Sequence, residues 1–417
     1  MQFAPRLLSA RIVRLVEQFP VVVLSGARQV GKSTLLQHLF PAWDFITLDA
    51  SQDVGNARAD PDLFLDNHPP PLILDEIQYA PELVAALKRR VDRSRKTARY
   101  LLTGSQQWSV LRSVAESLAG RAVFLELEGF CLAELAPGAR PRGARATTWL
   151  GRFLDDPRAF LRQPGPRLLH RRTLVEQLFR GFLPEANRLD LDLLADFQRS
   201  YLTTYIERDA RLIADVADWQ LFGRFAQLAA ALTGQEINHS QLGRDLGVTP
   251  QTAGRWLATL RATFQWLEVP AFHGNAVKRV SGRPKGYLAD TGLACSLQRL
   301  SSPQTLEAHP LAGPLFETAV AGEIRKLSGT LSTPPRLHHW RSHGGAEIDL
   351  LLERDGTFFP LEIKLSSRVG SADARGFAAF RETYPKLKIA PGLILAPVER
   401  AEKVTQHDWA VPWDLRG

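Results

Sequence analysis

The chain has 417 residues, 45% of them hydrophobic and 23% charged, enough for roughly two to four domains of ordinary globular composition. No apolar run approaches the ~18 residues of a membrane-spanning helix, and two cysteines are too few for a four-thiolate zinc site. With 52 Lys and Arg against 44 Asp and Glu the net charge is +8, an excess that leans toward a polyanionic partner or simply reflects an arginine-rich composition.

Leu8, Ile12, Leu15, Val16 and Phe19 fall at helical spacing among Arg11, Arg14 and Glu17, so the N-terminus predicts an amphipathic helix, not a signal peptide. Cys131 and Cys295 lie far apart in apolar contexts, as buried free thiols of a reducing cytoplasm would. Residues 1–136 alternate strand and helix, with strands expected at 21–24, 45–48, 72–74, 100–103 and 122–127. That pattern predicts a parallel α/β sheet with crossover helices.

After the first strand, Gly26, Ala27, Arg28, Gln29, Val30, Gly31, Lys32 and Ser33 read G-x-x-x-x-G-K-S, and Thr34 begins a run with helical apolar spacing. Strand, glycine loop and helix in that order cradle phosphates, because backbone N–H groups turn inward and the helix N-terminus favours negative charge. Lys32 is expected on the β- and γ-phosphates of ATP, and the Ser33 hydroxyl on Mg²⁺. Leu72-Ile73-Leu74 then runs into Asp75 and Glu76. Asp75 would hold the Mg²⁺, and Glu76 would polarise the attacking water. Thr103 and Ser105, at the tip of another apolar strand, would sense the γ-phosphate or merely end the strand. A helix is expected from Ser109 to Leu118, with Gly120 closing it. Arg121, which follows, would project into a neighbour's nucleotide or is a surface arginine near a helix end.

Residues 137–170 read as an irregular basic connector. Pro and Gly punctuate it, and from Arg140 to Arg172 there are nine Arg, no Lys and only Asp155 and Asp156 as acids. Residues 171–232 look all-helical and would form a lid. Residues 233–300 suggest a winged helix. There Ser240 caps one short helix, and Thr249 caps a second that begins at Pro250 and turns Ala253, Trp256, Leu257 and Leu260 inward. Arg283 is a further charge of the wing, and Arg255 on that helix with Lys278, Arg279 and Lys285 on the wing would contact DNA, or the module serves protein contacts.

Residues 301–417 form a second α/β pattern. A helix is expected from Leu315 to Lys326, then a strand over 337–341, then two strands joined by the hairpin signal Asp355-Gly356. A further helix carries Phe377 and Phe380, and a strand covers 392–395. Asp349 on one hairpin strand, with Glu362 and Lys364 on the next, spells D…E-x-K. Two carboxylates there, completed by Glu317, form a possible second Mg²⁺ site, or they belong to a solvated face. The helix-strand-strand-strand-helix-strand order resembles the PD-(D/E)xK nuclease fold, although Ile348 stands where that motif usually has proline.

Taken together, the chain resembles a family of bacterial and archaeal AAA-type ATPases with a nuclease-like C-terminal domain. The matching words are Pro5-Arg6, the loop Gly26 to Ser33, Ile73-Leu74-Asp75-Glu76-Ile77-Gln78, Leu102-Thr103-Gly104-Ser105-Gln106, Ser117-Leu118-Ala119-Gly120-Arg121, Glu207-Arg208-Asp209, Leu288-Ala289-Asp290-Thr291-Gly292-Leu293 and Leu361-Glu362-Ile363-Lys364. Arg180-Gly181-Phe182-Leu183-Pro184-Glu185 departs from the family's usual Gly-Gly-Phe-Pro-Glu turn. The resemblance implies ATP binding and AAA-like assembly. The expected fold is multi-domain α/β: a P-loop AAA-type ATPase core, a helical lid, a winged-helix module and a restriction-endonuclease-like α/β domain. The expected function is ATP hydrolysis by a cytoplasmic homo-oligomer with shared ATP sites, acting on branched or broken DNA. The alternative is a nucleotide-switched regulator or scaffold whose nuclease-like domain is inactive.

Overall fold

The computed structural model describes residues 3–48, 54–94, 99–105, 118–137, 148–205, 210–211, 218–274 and 282–416. Five parallel strands form the first sheet: β1 (Val21–Ser25), β2 (Asp44–Thr47), β3 (Leu72–Asp75), β4 (Tyr100–Gly104) and β5 (Ala122–Glu126), in the order β2-β3-β4-β1-β5. Near-continuous apolar strands require cover on both faces. Val21, Val23, Leu72, Leu74 and Leu102 face one core. Val22, Leu24, Ile73 and Leu101 face a second core, which runs on through the helical middle of the chain into the C-terminal domain. The helix Ser9–Gln18 packs on that second face through Ile12 and Val16. The helix expected over 109–118 and the Glu207-Arg208-Asp209 word fall outside the described residues, apart from the buried Leu118.

The stretch 137–170 corrects the sequence reading. Its described part holds a buried helical pair, Trp149–Asp155 and Pro157–Arg162, and only the stretch from Gln163 to His170 is irregular. Thr148 and Asp156 cap the two helices by accepting the N–H of Gly151 and Ala159. Pro157 begins the second helix, where a missing N–H costs nothing. Trp149, Leu150, Phe153, Leu154, Phe160 and Leu161 are buried. The Phe153 ring meets Phe359 edge-on at 5.5 Å. Proline marks a helix start here as readily as a loop.

Helices Leu174–Arg180, Leu191–Thr204 and Trp219–Ala231 follow. Next come β6 (Gln235–Glu236), helices His239–Leu246 and Pro250–Ala262, β7 (Trp266–Val269) and β8 (Lys285–Leu288), with the strands ordered β6-β8-β7 and antiparallel. Asn238, not Ser240, caps the first of these helices. Its side chain accepts from the N–H groups of Ser240 and Gln241. Thr249 caps the second by accepting from Thr252, with Ala253, Trp256, Leu257 and Leu260 buried as the spacing required. Lys278 and Arg279 lie outside the described residues.

The C-terminal domain joins the long helix Ala312–Thr330 and the helix Arg375–Thr383 to seven strands: β9 (Arg336–Arg341), β10 (Glu347–Arg354), β11 (Thr357–Ile363), β12 (Lys388–Ile389), β13 (Leu393–Ala396), β14 (Glu402–Lys403) and β15 (Trp409–Pro412). The main order is β14-β15-β13-β11-β10-β9, with β12 beside β11. Asp355 and Gly356 turn the β10–β11 hairpin with φ of +52° and +71°, the left-handed pair that a tight hairpin needs.

One joint ties the units together. Asp290 caps the helix Thr291–Leu297 by accepting from Leu293, and it also accepts the N–H of Phe182 at 2.7 Å. Gly181, at φ +79°, has no room for a side chain, because a Cβ would lie 2.1 Å from the Asp290 carboxylate. The Phe182 carbonyl in turn accepts from Phe130, next to the first sheet. Asp290→Ala removes the cap and orphans a buried N–H. We expect a loss of about 2–4 kcal/mol, read as a lower urea midpoint. An unchanged midpoint would show that the joint bears no load.

Candidate functional site

The glycine loop follows β1 and its shape depends on three residues. Gly26 passes so close to Leu127 that a Cβ would lie 2.0 Å from its carbonyl oxygen. Gln29 (φ +59°) and Gly31 (φ +93°) are left-handed, the conformation that turns successive N–H groups toward a common centre. The helix Lys32–Leu39 starts at once. The Lys32 ammonium donates to the Gly26 and Ala27 carbonyls, each at 2.9 Å, and so folds over the loop it serves. Val30 is buried, and Thr34 lies within the helix's first turn.

β4 lies between β3 and β1, which brings Thr103 and Ser105 to the acids at the end of β3. The Ser33 hydroxyl is 2.9 Å from both oxygens of Asp75, and Thr103 donates to the same carboxylate. Burial raises the Asp75 pKa against the opposing pull of the Thr103 and Ser33 hydrogen bonds. Two hard oxygen groups side by side at the loop fit Mg²⁺. Glu76 adopts a left-handed backbone (φ +60°) and donates its N–H to Thr103 at 3.1 Å. Gln78 donates from one amide nitrogen to the Glu76 carboxylate and to Ser105. Gln78 stood in a motif word without a role. The structure makes it the bridge between Glu76 and Ser105, and its buried Oε1 has no hydrogen-bond partner.

Two contacts that the sequence did not anticipate hold the loop from outside. Arg6 is buried behind it, donating to the Val30 carbonyl at 2.8 Å, to Glu134 at 2.9 Å and to the Glu128 carbonyl at 2.6 Å. On the helical side, the Tyr201 hydroxyl donates to the Arg28 carbonyl at 3.4 Å and accepts from Gln265, beside β7, at 3.2 Å. Arg121 sits at the start of β5, the end of the parallel sheet away from the loop, and pairs bidentately with Asp92. It cannot serve the nucleotide site of its own chain.

The second constellation assembles differently from expectation. Lys285, expected on a DNA-facing wing, is 8% exposed and points inward, a correction that follows from its place on β8. Its ammonium lies 2.6 Å from Glu317 and 2.7 Å from Asp349, where the sequence expected a metal ion. Burial pushes the Lys285 pKa down, but Asp349 and Glu317 outweigh it and the net direction is up. Tyr287 donates to Glu317 at 2.8 Å, Ile363 donates its N–H to Asp349 at 2.9 Å, and Lys364 pairs with Glu362 at 2.6 Å. The hairpin register, Leu350 opposite Leu361, sets Asp349 beside Glu362 one step further on. Among the described residues no three His, Cys, Asp or Glu are placed to hold a metal. As arranged, these carboxylates are occupied by an ammonium where a metal ion was expected.

Residues 18–136 match the family model described as an AAA domain. This part of the chain is an AAA-type P-loop ATPase domain. Residues 171–304 match a domain of unknown function, DUF8612, and residues 312–415 another, DUF4143. Two uncharacterized proteins, Mb2031c of Mycobacterium bovis and Rv2008c of Mycobacterium tuberculosis, are each 29% identical over 409 residues, covering 97% of this chain and 83% of their own length. A solved structure, the Walker-type ATPase PABY2304 of Pyrococcus abyssi, aligns with 71% of this chain and 96% of its own at 14% identity and a TM-score of 0.40. At that score the AAA assignment rests on the family match and the loop geometry. Among the described residues no helix is long and apolar enough to cross a membrane.

The carboxylate cluster carries a pH dependence. Burial first, then Asp349, push Glu362 up to about 8 against Lys364. Burial and Asp349 push Glu317 up to about 7 against Lys285. In the folded protein these groups keep a proton that the unfolded chain releases near 4.5. Stability contributed here is therefore present at acidic pH and lost as pH rises toward about 8. Glu362→Gln should flatten that fall by up to one proton, about 1.4 kcal/mol per pH unit. Urea midpoints taken across this range for parent and variant test it, and coincident slopes would refute the assignment.

Proposed function

We propose that the protein hydrolyses ATP and uses the cycle to act on DNA as an assembly in which neighbouring chains complete each other's sites. One observation carries the ATPase reading: Ser33, Asp75, Thr103, Glu76, Gln78 and Ser105 form one connected hydrogen-bond group beside the glycine loop. The loop N–H groups and Lys32 bind the phosphates, Lys32 exchanging its carbonyl partners for the γ-phosphate. Ser33 and Asp75 would hold Mg²⁺, which supplies charge neutralisation at the β- and γ-oxygens. Glu76 accepts the proton of the attacking water, and Gln78 holds its carboxylate in place. Thr103 fixes Asp75 and the Glu76 backbone together.

The DNA reading rests on the module from Trp219 to Leu288, whose helix-strand-helix-helix-strand-strand order is that of a winged helix. Arg255 is exposed on its second capped helix and, with Lys278 and Arg279, would contact phosphates; Lys285 is withdrawn from that set. A second reading, a nucleotide-switched regulator or scaffold with an inert nuclease-like domain, draws support from the Lys285 ammonium between Asp349 and Glu317. ATPase rates with and without single-stranded, duplex and branched DNA separate the two. Stimulation supports action on DNA. Unchanged rates and no salt-dependent binding favour the regulator.

Lys32→Ala should abolish turnover. Glu76→Gln should retain ATP binding and lose roughly 10²–10⁴ in rate, since only proton acceptance is lost. Wild-type turnover by the Glu76 variant would overturn its role. For Arg121, a finger acting in trans is worth roughly 10³–10⁵. Mixed assemblies of Arg121→Ala and Lys32→Ala chains should regain activity that neither has alone. Absence of rescue in assemblies proven to be mixed would exclude a shared site.

A further inference from the structure

A cavity of about 1120 Å³ opens away from the ATPase domain, between the helix Pro157–Arg162 with its following loop and the β14–β15 edge of the C-terminal sheet. Its walls are basic on both sides. Arg158, Arg162 and Arg167 come from the helical pair and the loop after it, and Arg381, Arg400 and Lys403 from the C-terminal domain, with His407 nearby. Glu399 is the one acid among the lining residues.

Not all of that charge is available. Arg167 is held by Asp414 and Glu399, and Arg400 pairs with Glu402 at 2.6 Å. Arg381 binds Asp408 through both terminal nitrogens, which fixes its guanidinium. Arg158 and Arg162 are exposed and make no ion pair with the described residues. Lys403 stands 5.6 Å above the Trp409 ring. The rest of the lining includes apolar Ile389, Ala390, Pro391 and Pro412.

Two exposed arginines without ion pairs on one wall, a lysine over an aromatic ring on the other and an apolar floor are the elements that bind a strand by its phosphates and bases together. At about 1120 Å³ the volume lies at the upper end of single-ligand sites, roughly 300–1,000 Å³, and has room for a few linked nucleotides. We propose that this cavity seats a short segment of single-stranded nucleic acid, a binding site separate from both the glycine loop and the winged-helix surface. The proposal rests on the reading of the protein as acting on DNA and gives that reading a location.

The experiment uses the full chain and a labelled oligothymidylate of about 12 nucleotides, titrated over a range of salt. The variant is Arg158→Ala/Arg162→Ala/Lys403→Ala, three exposed positions whose loss leaves the core intact. Each single-strand phosphate contact adds about −0.7 to the slope of log affinity against log salt, so the variant should flatten it by about 2 and bind at least tenfold more weakly. ATP and inorganic phosphate, run as separate arms on a Lys32→Ala background, distinguish a strand from a free phosphate. Tighter, cavity-dependent binding of the oligonucleotide supports the proposal. Equal binding and slope in parent and variant overturns the cavity and leaves DNA action standing. No binding by the parent overturns the single-strand site, and the DNA reading then stands or falls on ATPase stimulation by duplex and branched DNA. Cavity-dependent binding of ATP or phosphate without preference for the strand overturns the single-strand assignment.

Discussion

Buried charge is the constraint on which the architecture turns. An ion taken out of water costs several kcal/mol unless partners surround it. This chain places such ions where its units meet. Arg6 joins the N-terminus to the back of the glycine loop and to Glu134. Asp290 joins the Gly181-Phe182 turn to the helix Thr291–Leu297. Lys285 carries a strand of the small sheet into the acids of the C-terminal domain. Apolar surfaces alone would let these units slide. A buried ammonium satisfied only by Glu317 and Asp349 admits one placement.

The helix Ala312–Thr330 connects two of these joints. Near its start Glu317 belongs to the Lys285 cluster. Further along, Glu323 accepts the Leu132 N–H, Lys326 donates to the Phe130 carbonyl at 2.9 Å, and Arg325 pairs with Glu126 at 2.6 Å. Burial pushes Glu323 up to about 7, so it sits in a setting as dry as the cluster itself. Cys131 beside it is held well above the ordinary thiol range by burial, an inert structural thiol and no nucleophile. The helix thus fixes the distance between the segment behind the glycine loop and the carboxylate cluster. On the opposite side, Arg28, Tyr201 and Gln265 link the loop to the helical region and then to β7. The nucleotide site is gripped from both directions by elements outside its own domain.

Local signals carried much of this in the sequence. The five strands of the first sheet fall on short apolar runs, and the loop, Asp75 and Glu76 are contiguous words. The Asp355-Gly356 hairpin and the Thr249–Pro250 helix start were equally local. What escaped was non-local. Arg6 reaches residues about 120 positions away, and no spacing rule announces such a pairing. Lys285 read as a surface charge because it follows Lys278, Arg279 and Arg283 along the expected wing, whereas its strand turns it inward. The helices at 149–162 were hidden because proline marks both loops and helix starts, and only the capping residues Thr148 and Asp156 tell them apart.

The ammonium at Asp349 also decides what the cluster can do. Three carboxyl groups, Asp349, Glu317 and Glu362, face two ammonium groups, Lys285 and Lys364. With every group ionised the buried cluster carries one negative charge too many. A single proton removes the excess, and the unpartnered Oε2 of Glu362 offers it a place. The rise in the Glu362 and Glu317 pKa values is the same statement in titration terms. A divalent ion would neutralise the acids only by displacing Lys285. That side chain hangs from the middle strand of the β6-β8-β7 sheet, and moving it would leave a cation buried without partners. The β10–β11 hairpin therefore carries the D…E-x-K residues with the chemistry of a protonated ion-pair lock.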